Sequence, residues 1–145
     1  MTPAYGQSEL VKKLCAEFQT TDTCAVHVRG GDIVGPGRAF FERALVRMEK
    51  ERPGLRYLVF TNDKEAAKEA LEGEHTERKM TYISELGAFS DIDEFFLMAA
   101  CRHQIISNSS YSTWAAYLNP NPEKVVIMPE YKGCEQIRLK EWIVL

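Results

Sequence analysis

The chain has 145 residues, a length typical of one domain that buries a hydrophobic core without metal or disulfide crosslinks. Its composition is ordinarily globular, with 45% hydrophobic residues, 27% charged residues and a net charge of −3. Because Lys, Arg, Asp and Glu are mixed along the chain, there is no basic stripe of the kind that binds nucleic acid, and we expect no nucleic-acid partner.

Membrane and metal functions also lack support in the sequence. No apolar run approaches the length of a membrane span, and the first residues lack a signal-peptide hydrophobic region. None of the four cysteines forms a CxxC pair, and no histidine has a carboxylate or cysteine at metal-ligand spacing. These features predict a cytoplasmic protein with reduced thiols, no transmembrane segment and no metal site.

Strands and helices alternate along the predicted chain. The predicted strands are Cys24–Val28, Arg56–Thr61, Met80–Ile83, Gln104–Ser107 and Val125–Met128. The predicted helices cover residues 8–18, Ala39–Lys50, a segment after Asp63 that ends at Gly73, a segment from Ser90 through Cys101, Tyr111–Leu118, and a short tail from Glu135 to Trp142. Ser8, Asp63 and Ser90 are the predicted helix N-caps, with Asp93 completing a capping box at the last.

This alternation predicts an α/β fold, with residues 1–145 as a single Rossmann-like domain. Continuous apolar strands separated by helices indicate a parallel sheet of about five strands covered on both faces. Right-handed crossovers make the sheet doubly wound, and we expect the strand order 3-2-1-4-5. Strands 1 and 4 are then neighbours, and ligands bind beside the carboxyl ends of strands at such a switch point.

The two segments that leave those strand ends are rich in groups that bind phosphate. Arg29 directly follows the first strand, where a guanidinium would hold a diphosphate bidentately, although a solvated surface arginine is an equal alternative. Gly30 and Gly31 would let the backbone approach the ligand. After the fourth strand, three serines surround a helix N-terminus, which favours an anion but is also explained by N-capping alone: Ser109, Ser110 and Ser112.

The other polar residues here have structural explanations beside the functional ones. His27 lies within the first strand, on the face opposite Val26 and Val28, where a histidine is more often structural than a base. Asp32 would accept a proton or hold its loop. The helix dipole favours negative side chains in the first turn, and this already explains the acidic residues Asp91, Asp93 and Glu94. The chain has no GxGxxG, GxxxxGK[ST] or GxSxG motif, so dinucleotide binding, P-loop NTPase activity and hydrolase activity are not indicated.

With these motifs the sequence resembles the α-1,2-fucosyltransferases of glycosyltransferase family 11. The family's His-x-Arg-Arg-Gly-Asp strand end is matched by His27, Arg29, Gly31 and Asp32. Its Phe-Ser-Asp-Asp strand end is matched loosely by Phe60-Thr61-Asn62-Asp63. Its Asp-x-x-x-Leu-Met-x-x-Cys-x-His helix is matched by Asp93, Leu97, Met98, Cys101 and His103. Its Asn-Ser-Ser-Phe-Ser-Trp-Trp turn is matched by Asn108, Ser109, Ser110, Ser112 and Trp114. The second arginine of the first motif is Gly30 here.

The resemblance implies the donor-binding half of a GT-B-like, inverting, metal-independent enzyme. Such an enzyme transfers L-fucose from GDP-fucose to the 2-hydroxyl of a terminal galactose on a glycan, with no cofactor besides the donor. Arg29 and Asp32 are then the catalytic candidates. The donor ligands are His27, Arg29, Gly31, Asn108, Ser109, Ser110 and Ser112. Family members are longer than this chain, which implies that a missing N-terminal half or a partner chain would hold the acceptor. Family members can also be associated with membranes. Two alternatives stay open: an inactive or truncated GDP-sugar-binding module, and a flavodoxin-like regulatory domain.

Overall fold

The computed structural model describes residues 9–29, 37–71, 79–131 and 133–145. In chain order their elements are α1 (Glu9–Thr20), β1 (Thr23–Val28), α2 (Arg38–Glu51), β2 (Arg56–Thr61), α3 (Lys64–Leu71), β3 (Lys79–Tyr82), a 3-10 turn (Ile83–Glu85), α4 (Asp91–Ala100), β4 (His103–Ile105), α5 (Ser110–Leu118), β5 (Val126–Met128), α6 (Cys134–Ile137) and β6 (Ile143–Val144). The strands described form one sheet in the order β3-β2-β1-β4-β5-β6, with every neighbouring pair parallel. The prediction of a Rossmann-like α/β fold is confirmed, as is the order 3-2-1-4-5 of its first five strands.

Helices cover both faces of the sheet. Successive side chains of β1 point to opposite faces and therefore pack against different helices. Val26 and Val28 lie in one apolar cluster with Phe41 of α2. Ala25 points the other way, into a second cluster with Phe18 of α1 and residues of α4 and α5. Each fully buried large apolar side chain in these clusters contributes about 1.5–3 kcal/mol to the free energy of folding. His27 shares the face of Ala25, as predicted, and this places its ring beside α5.

The predicted helix caps that lie in the described ranges are confirmed. Asp63 Oδ1 accepts a hydrogen bond from the Ala66 N–H at 3.1 Å, which caps α3. Ser90 and Asp93 form the reciprocal capping box of α4, at 3.1 and 3.2 Å. The predicted cap Ser8 and the predicted helix end at Gly73 lie outside the described residues.

The prediction of a helical tail from Glu135 to Trp142 is wrong. Helix α6 ends at Ile137, and Ile143–Val144 form a sixth strand that pairs with β5. The guanidinium of Arg138 donates to the carbonyls of Lys140 and Trp142 at 3.2 and 2.9 Å, which holds the intervening residues in a turn. Trp142 is buried in a third apolar cluster with Met128, so the packing of one indole, rather than helix propensity, sets the path of the tail.

Strand β4 ends two residues before the predicted boundary at Ser107. Ile106 still donates to the Ile127 carbonyl at 2.9 Å, but the next N–H turns away from the sheet. The Ser107 N–H donates instead to Ser112 Oγ at 3.3 Å. A side chain of α5 therefore ends the strand and begins the polar turn that was expected at the switch point.

The described part of the chain contains no helix that is long and apolar enough to cross a membrane. All four cysteines, Cys15, Cys24, Cys101 and Cys134, are free thiols. Burial raises the pKa of the Cys101 thiol, which keeps it protonated and unreactive in the core.

Candidate functional site

A cleft of about 290 Å³ opens at the carboxyl ends of β1 and β2. Its other walls are the N-terminal turns of α4 and α5, so it lies at the edge of the sheet where a doubly wound fold binds ligands. Its lining residues are His27, Arg29, Phe60, Thr61, Asn62, Asp91, Glu94 and Tyr111. Among the residues that the structure describes, the cleft therefore combines one fixed cation, two carboxylates and aromatic side chains.

Arg29 is the cation that the described residues contribute to this cleft, and it follows the last residue of β1. Its Nη1 donates to Ser109 Oγ at 3.5 Å, so the guanidinium spans from the cleft to the N-cap of α5. Its Nε is buried and has no hydrogen-bond partner among the described residues. A buried donor without a partner is costly, and an anion at this position would supply the missing acceptor.

The serine-rich turn between β4 and α5 is built around its own hydroxyls. Ser109 Oγ accepts a hydrogen bond from the Tyr111 N–H at 3.2 Å and caps α5. Ser112 is fully buried, and its hydroxyl accepts from the Ser107 N–H and donates to the Ser109 carbonyl at 3.4 Å. Ser110 is exposed at the start of the helix, and Asn108 is half-buried beside it. Ser109 and Ser112 are thus buried within the turn, while Ser110 is exposed on its outer surface.

His27 joins the strand end to this turn. Its Nδ1 lies 2.8 Å from Ser107 Oγ, and its ring centroid lies 5.7 Å from that of Tyr111. Burial, with the nearby charge of Arg29, lowers the pKa of His27 to about 4. The imidazole is therefore neutral near pH 7, and Arg29 is the cation that this end of β1 contributes.

Glu94 and Asp91 form the acidic wall of the cleft. Their place in the sequence alone indicates only the preference for negative charge at a helix N-terminus. Burial raises the pKa of Glu94, and the neighbouring charges of Asp91 and Asp93 raise it further. The Asp91 carbonyl accepts the Tyr111 hydroxyl at 2.7 Å, which fixes the start of α4 against α5. The sequence signal was the spacing of Asp91 and Glu94, since residues three apart share one helix face.

Comparison with known proteins identifies the family of the chain. The sequence profile described as glycosyl transferase family 11 matches residues 8–145. The chain belongs to glycosyl transferase family 11. It is also similar to the O-antigen biosynthesis glycosyltransferase WbnK of Escherichia coli, with 29% identity over 130 residues. No solved structure matches the chain significantly.

The match to WbnK covers 81% of this family 11 chain but 40% of the relative. The chain therefore spans less than half the length of this curated relative. The cleft, Arg29 and the serine turn all lie within the residues that the family profile matches.

Three residues of the family motif lie outside the described residues. These are Gly30, Gly31 and Asp32, which follow Arg29 in the chain. The assignment of Asp32 as a catalytic residue, and of Gly31 as a donor ligand, stays a prediction from the sequence. Across the residues that the structure does describe, no three His, Cys, Asp or Glu side chains are grouped as ligands of a metal ion.

Proposed function

We propose that this chain is the donor-binding part of a fucosyltransferase, which transfers L-fucose from GDP-fucose to the 2-hydroxyl of a terminal galactose. The observation that carries the proposal is the buried Nε of Arg29, which has no hydrogen-bond partner among the described residues and belongs to a side chain that lines the cleft and contacts the N-cap of α5. Membership of family 11 supports transfer of a sugar, and the name of WbnK records that activity for a relative.

The proposed reaction makes one bond and breaks one. The galactose O2 attacks C1 of fucose with inversion, the bond from C1 to the β-phosphate oxygen breaks, GDP departs, and the hydroxyl proton passes to a base. Charge develops on the departing phosphate, where the guanidinium of Arg29 would stabilise it. The N-terminus of α5 would add its dipole to that stabilisation. Asp32 is the candidate base that the motif offers.

The alternative function is a module that holds GDP-fucose without transferring the sugar. Gly30 stands where the family motif has a second arginine, so one positive charge is lacking. The chain also covers 40% of the length of WbnK, and we expect further polypeptide to contribute the acceptor site. Without it the cleft would stay open to water, which weakens its electrostatic interactions.

Two measurements separate these functions. Calorimetry with GDP-fucose tests binding, and incubation with GDP-fucose and a galactose-terminated disaccharide tests transfer. Binding with product supports the enzyme, binding without product supports the module, and absence of binding contradicts both.

Arg29→Ala is the variant that tests the central residue. We expect it to lower nucleotide affinity at least about tenfold, because a charge-assisted hydrogen bond contributes about 1.5–3 kcal/mol. Arg47→Ala is the matched control, since Arg47 lies late in α2 and pairs with Glu51 at 3.8 Å. Equal affinity of the two variants would remove Arg29 from the site.

A further inference from the structure

We propose that Ser107 is a positioning residue for His27: its hydroxyl donates to Nδ1 and keeps the imidazole in the tautomer that presents Nε2–H to the cleft. That N–H would donate to an acceptor atom of a bound nucleoside diphosphate. The inference rests on the proposed function, and it adds a residue that acts on the donor through another side chain. Ser107 is fully buried, so it reaches a ligand only through its neighbours.

His27 and Ser107 meet where two neighbouring strands end. β1 and β4 are parallel neighbours, so their carboxyl ends lie at the same edge of the sheet. Nδ1 of His27 lies 2.8 Å from Ser107 Oγ. Both side chains are buried, so water does not compete for this contact. The contact therefore fixes the orientation of the imidazole within the wall of the cleft, to which His27 contributes.

The protons of the buried hydroxyls are placed by counting donors and acceptors. Each serine hydroxyl has one proton to donate. Ser112 donates its proton to the Ser109 carbonyl at 3.4 Å, and its oxygen accepts the Ser107 N–H at 3.3 Å. The Ser107 hydroxyl then has two acceptors within reach, His27 Nδ1 at 2.8 Å and Ser112 Oγ at 3.4 Å. Hydroxyl hydrogen bonds are usually about 2.5–3.0 Å long, so the proton of Ser107 points to His27.

The tautomer of His27 follows from this bond, because a neutral imidazole that accepts at one ring nitrogen carries its proton on the other. Burial, with the nearby charge of Arg29, lowers the pKa of His27 to about 4, which keeps the ring neutral near pH 7. Nδ1 accepts from Ser107, so the proton is on Nε2, at the outer end of the ring. None of the residues that the structure describes hydrogen-bonds to Nε2. This N–H is therefore left for a ligand of the cleft, beside the guanidinium of Arg29.

His103 has the same tautomer, fixed by a donor that has no alternative role. The Val125 N–H donates to His103 Nδ1 at 2.9 Å. A backbone N–H only donates, so a neutral His103 carries its proton on Nε2. His103 is the first residue of β4, at the opposite end of that strand from Ser107. It therefore provides an internal reference, which a substitution at Ser107 should leave unaltered.

Nitrogen-15 NMR of the imidazole rings tests the tautomer directly, because a protonated ring nitrogen and an accepting ring nitrogen differ in chemical shift. In the parent chain near pH 7, His27 should give the same pattern as His103, with the proton on Nε2. In Ser107→Ala the pattern of His27 should move toward a mixture of tautomers, while that of His103 stays unchanged. Ser107→Thr keeps a hydroxyl at this position and should restore the parent pattern. His27→Ala and His103→Gln identify the signals.

Calorimetry with GDP on the 145-residue chain measures what this tautomer contributes to binding. His27→Ala should lower the affinity at least about tenfold, because it removes a hydrogen bond to a charged ligand. Ser107→Ala should lower the affinity about threefold, because only the fraction of molecules with the proton on Nε2 is competent to bind. Ser107→Thr should bind within about twofold of the parent, since it keeps that fraction high.

A double variant separates positioning from a general effect on the fold. In the His27→Ala background, Ser107→Ala should not lower the affinity for GDP further, because the residue through which Ser107 acts is absent. Ser84→Ala, at an exposed position of the 3-10 turn, is the matched control and should bind like the parent. Circular dichroism establishes that each variant is folded.

The outcomes separate this inference from the proposed function. If the parent carries the proton on Nδ1 of His27, or if Ser107→Ala leaves either the tautomer or the GDP affinity unchanged, the role of Ser107 is wrong while fucosyl transfer stands. An equal loss of affinity with and without His27 would likewise overturn it, since Ser107 would then act through the fold alone. If the parent chain binds no GDP, both fail. A changed tautomer with weaker binding, both restored by threonine, supports the proposal.

Discussion

Nδ1 of His27 lies 2.8 Å from the hydroxyl oxygen of Ser107, and this contact joins the ends of β1 and β4 across 80 residues of chain. Both side chains are buried. Ser107 Oγ also lies 3.4 Å from Ser112 Oγ, so a chain of polar contacts runs from β1 into the first turn of α5. The strand end that supplies Arg29 is thereby held against the turn that would receive the phosphate.

Ser107→Ala should destabilise the protein through this contact. It leaves the Nδ1 of a buried imidazole without a partner, which costs about 1–3 kcal/mol. Urea denaturation measures the free energy of unfolding. Ser110→Ala is the control, because Ser110 is exposed at the start of the same helix, and its change should stay within about 0.5 kcal/mol. Equal effects of the two substitutions would show that the His27–Ser107 contact contributes nothing to stability.

Stability should decrease as the pH falls from 7 toward 5. Burial lowers the pKa of both His27 and His103 to about 4, and nearby arginines contribute in each case. An unfolded histidine titrates near pH 6.5, so between these values the unfolded chain binds more protons and the free energy of unfolding rises with pH. Glu94, whose pKa is raised, acts in the opposite sense at lower pH. Urea unfolding at several pH values gives the slope of the free energy of unfolding against pH.

Variants of the two histidines show which residue causes the dependence of the free energy of unfolding on pH. His103 Nδ1 accepts the Val125 N–H at 2.9 Å, a bond that protonation would break. In His103→Gln the decrease between pH 7 and pH 5 should be smaller, because one of the two buried imidazoles is gone. NMR titration of the parent should give midpoints near pH 4 for both rings. Midpoints near 6.5 would contradict the burial argument.

Ser90→Ala should loosen the acidic wall of the cleft. The substitution removes half of the capping box of α4 and should cost about 1 kcal/mol of stability. Because Asp91 and Glu94 lie in the same helix turn, we also expect weaker nucleotide binding. Ser84→Ala, at an exposed position of the 3-10 turn, is the matched control. Unchanged stability in the Ser90 variant would mean that packing alone defines the start of α4.

The two tryptophans should differ sharply in their contribution to stability. Trp142 is 3% exposed and its ring lies 4.9 Å from that of Tyr117, whereas Trp114 is 58% exposed. Trp142→Ala should cost about 3–5 kcal/mol, and Trp114→Ala less than about 1 kcal/mol. Urea denaturation followed by circular dichroism compares them without relying on tryptophan fluorescence. A small effect of Trp142→Ala would show that the tail and β6 are not part of the cooperative fold.

The sequence by itself determined the sheet and the meeting of its two polar strand ends. Apolar runs separated by amphipathic helices permit few topologies, and β2 has the bounds that its residues predicted. Arg29 and Ser109 were expected at adjacent strand ends, and the structure places them in hydrogen-bonding contact. These features follow from local periodicity and from the handedness of crossovers, which are properties of short segments.

Only the tertiary structure decided the sixth strand and the acidic wall of the cleft. Ile143–Val144 are too short to show a period, and they become a strand because Trp142 is buried and β5 offers a free edge. Glu94 resembles any acidic residue near a helix start. It lines the cleft because α4 packs between α1 and α5, and that packing sets which side of the helix faces the cleft. The rotation of a helix about its axis depends on contacts with distant segments, so it is fixed only when the whole chain is folded.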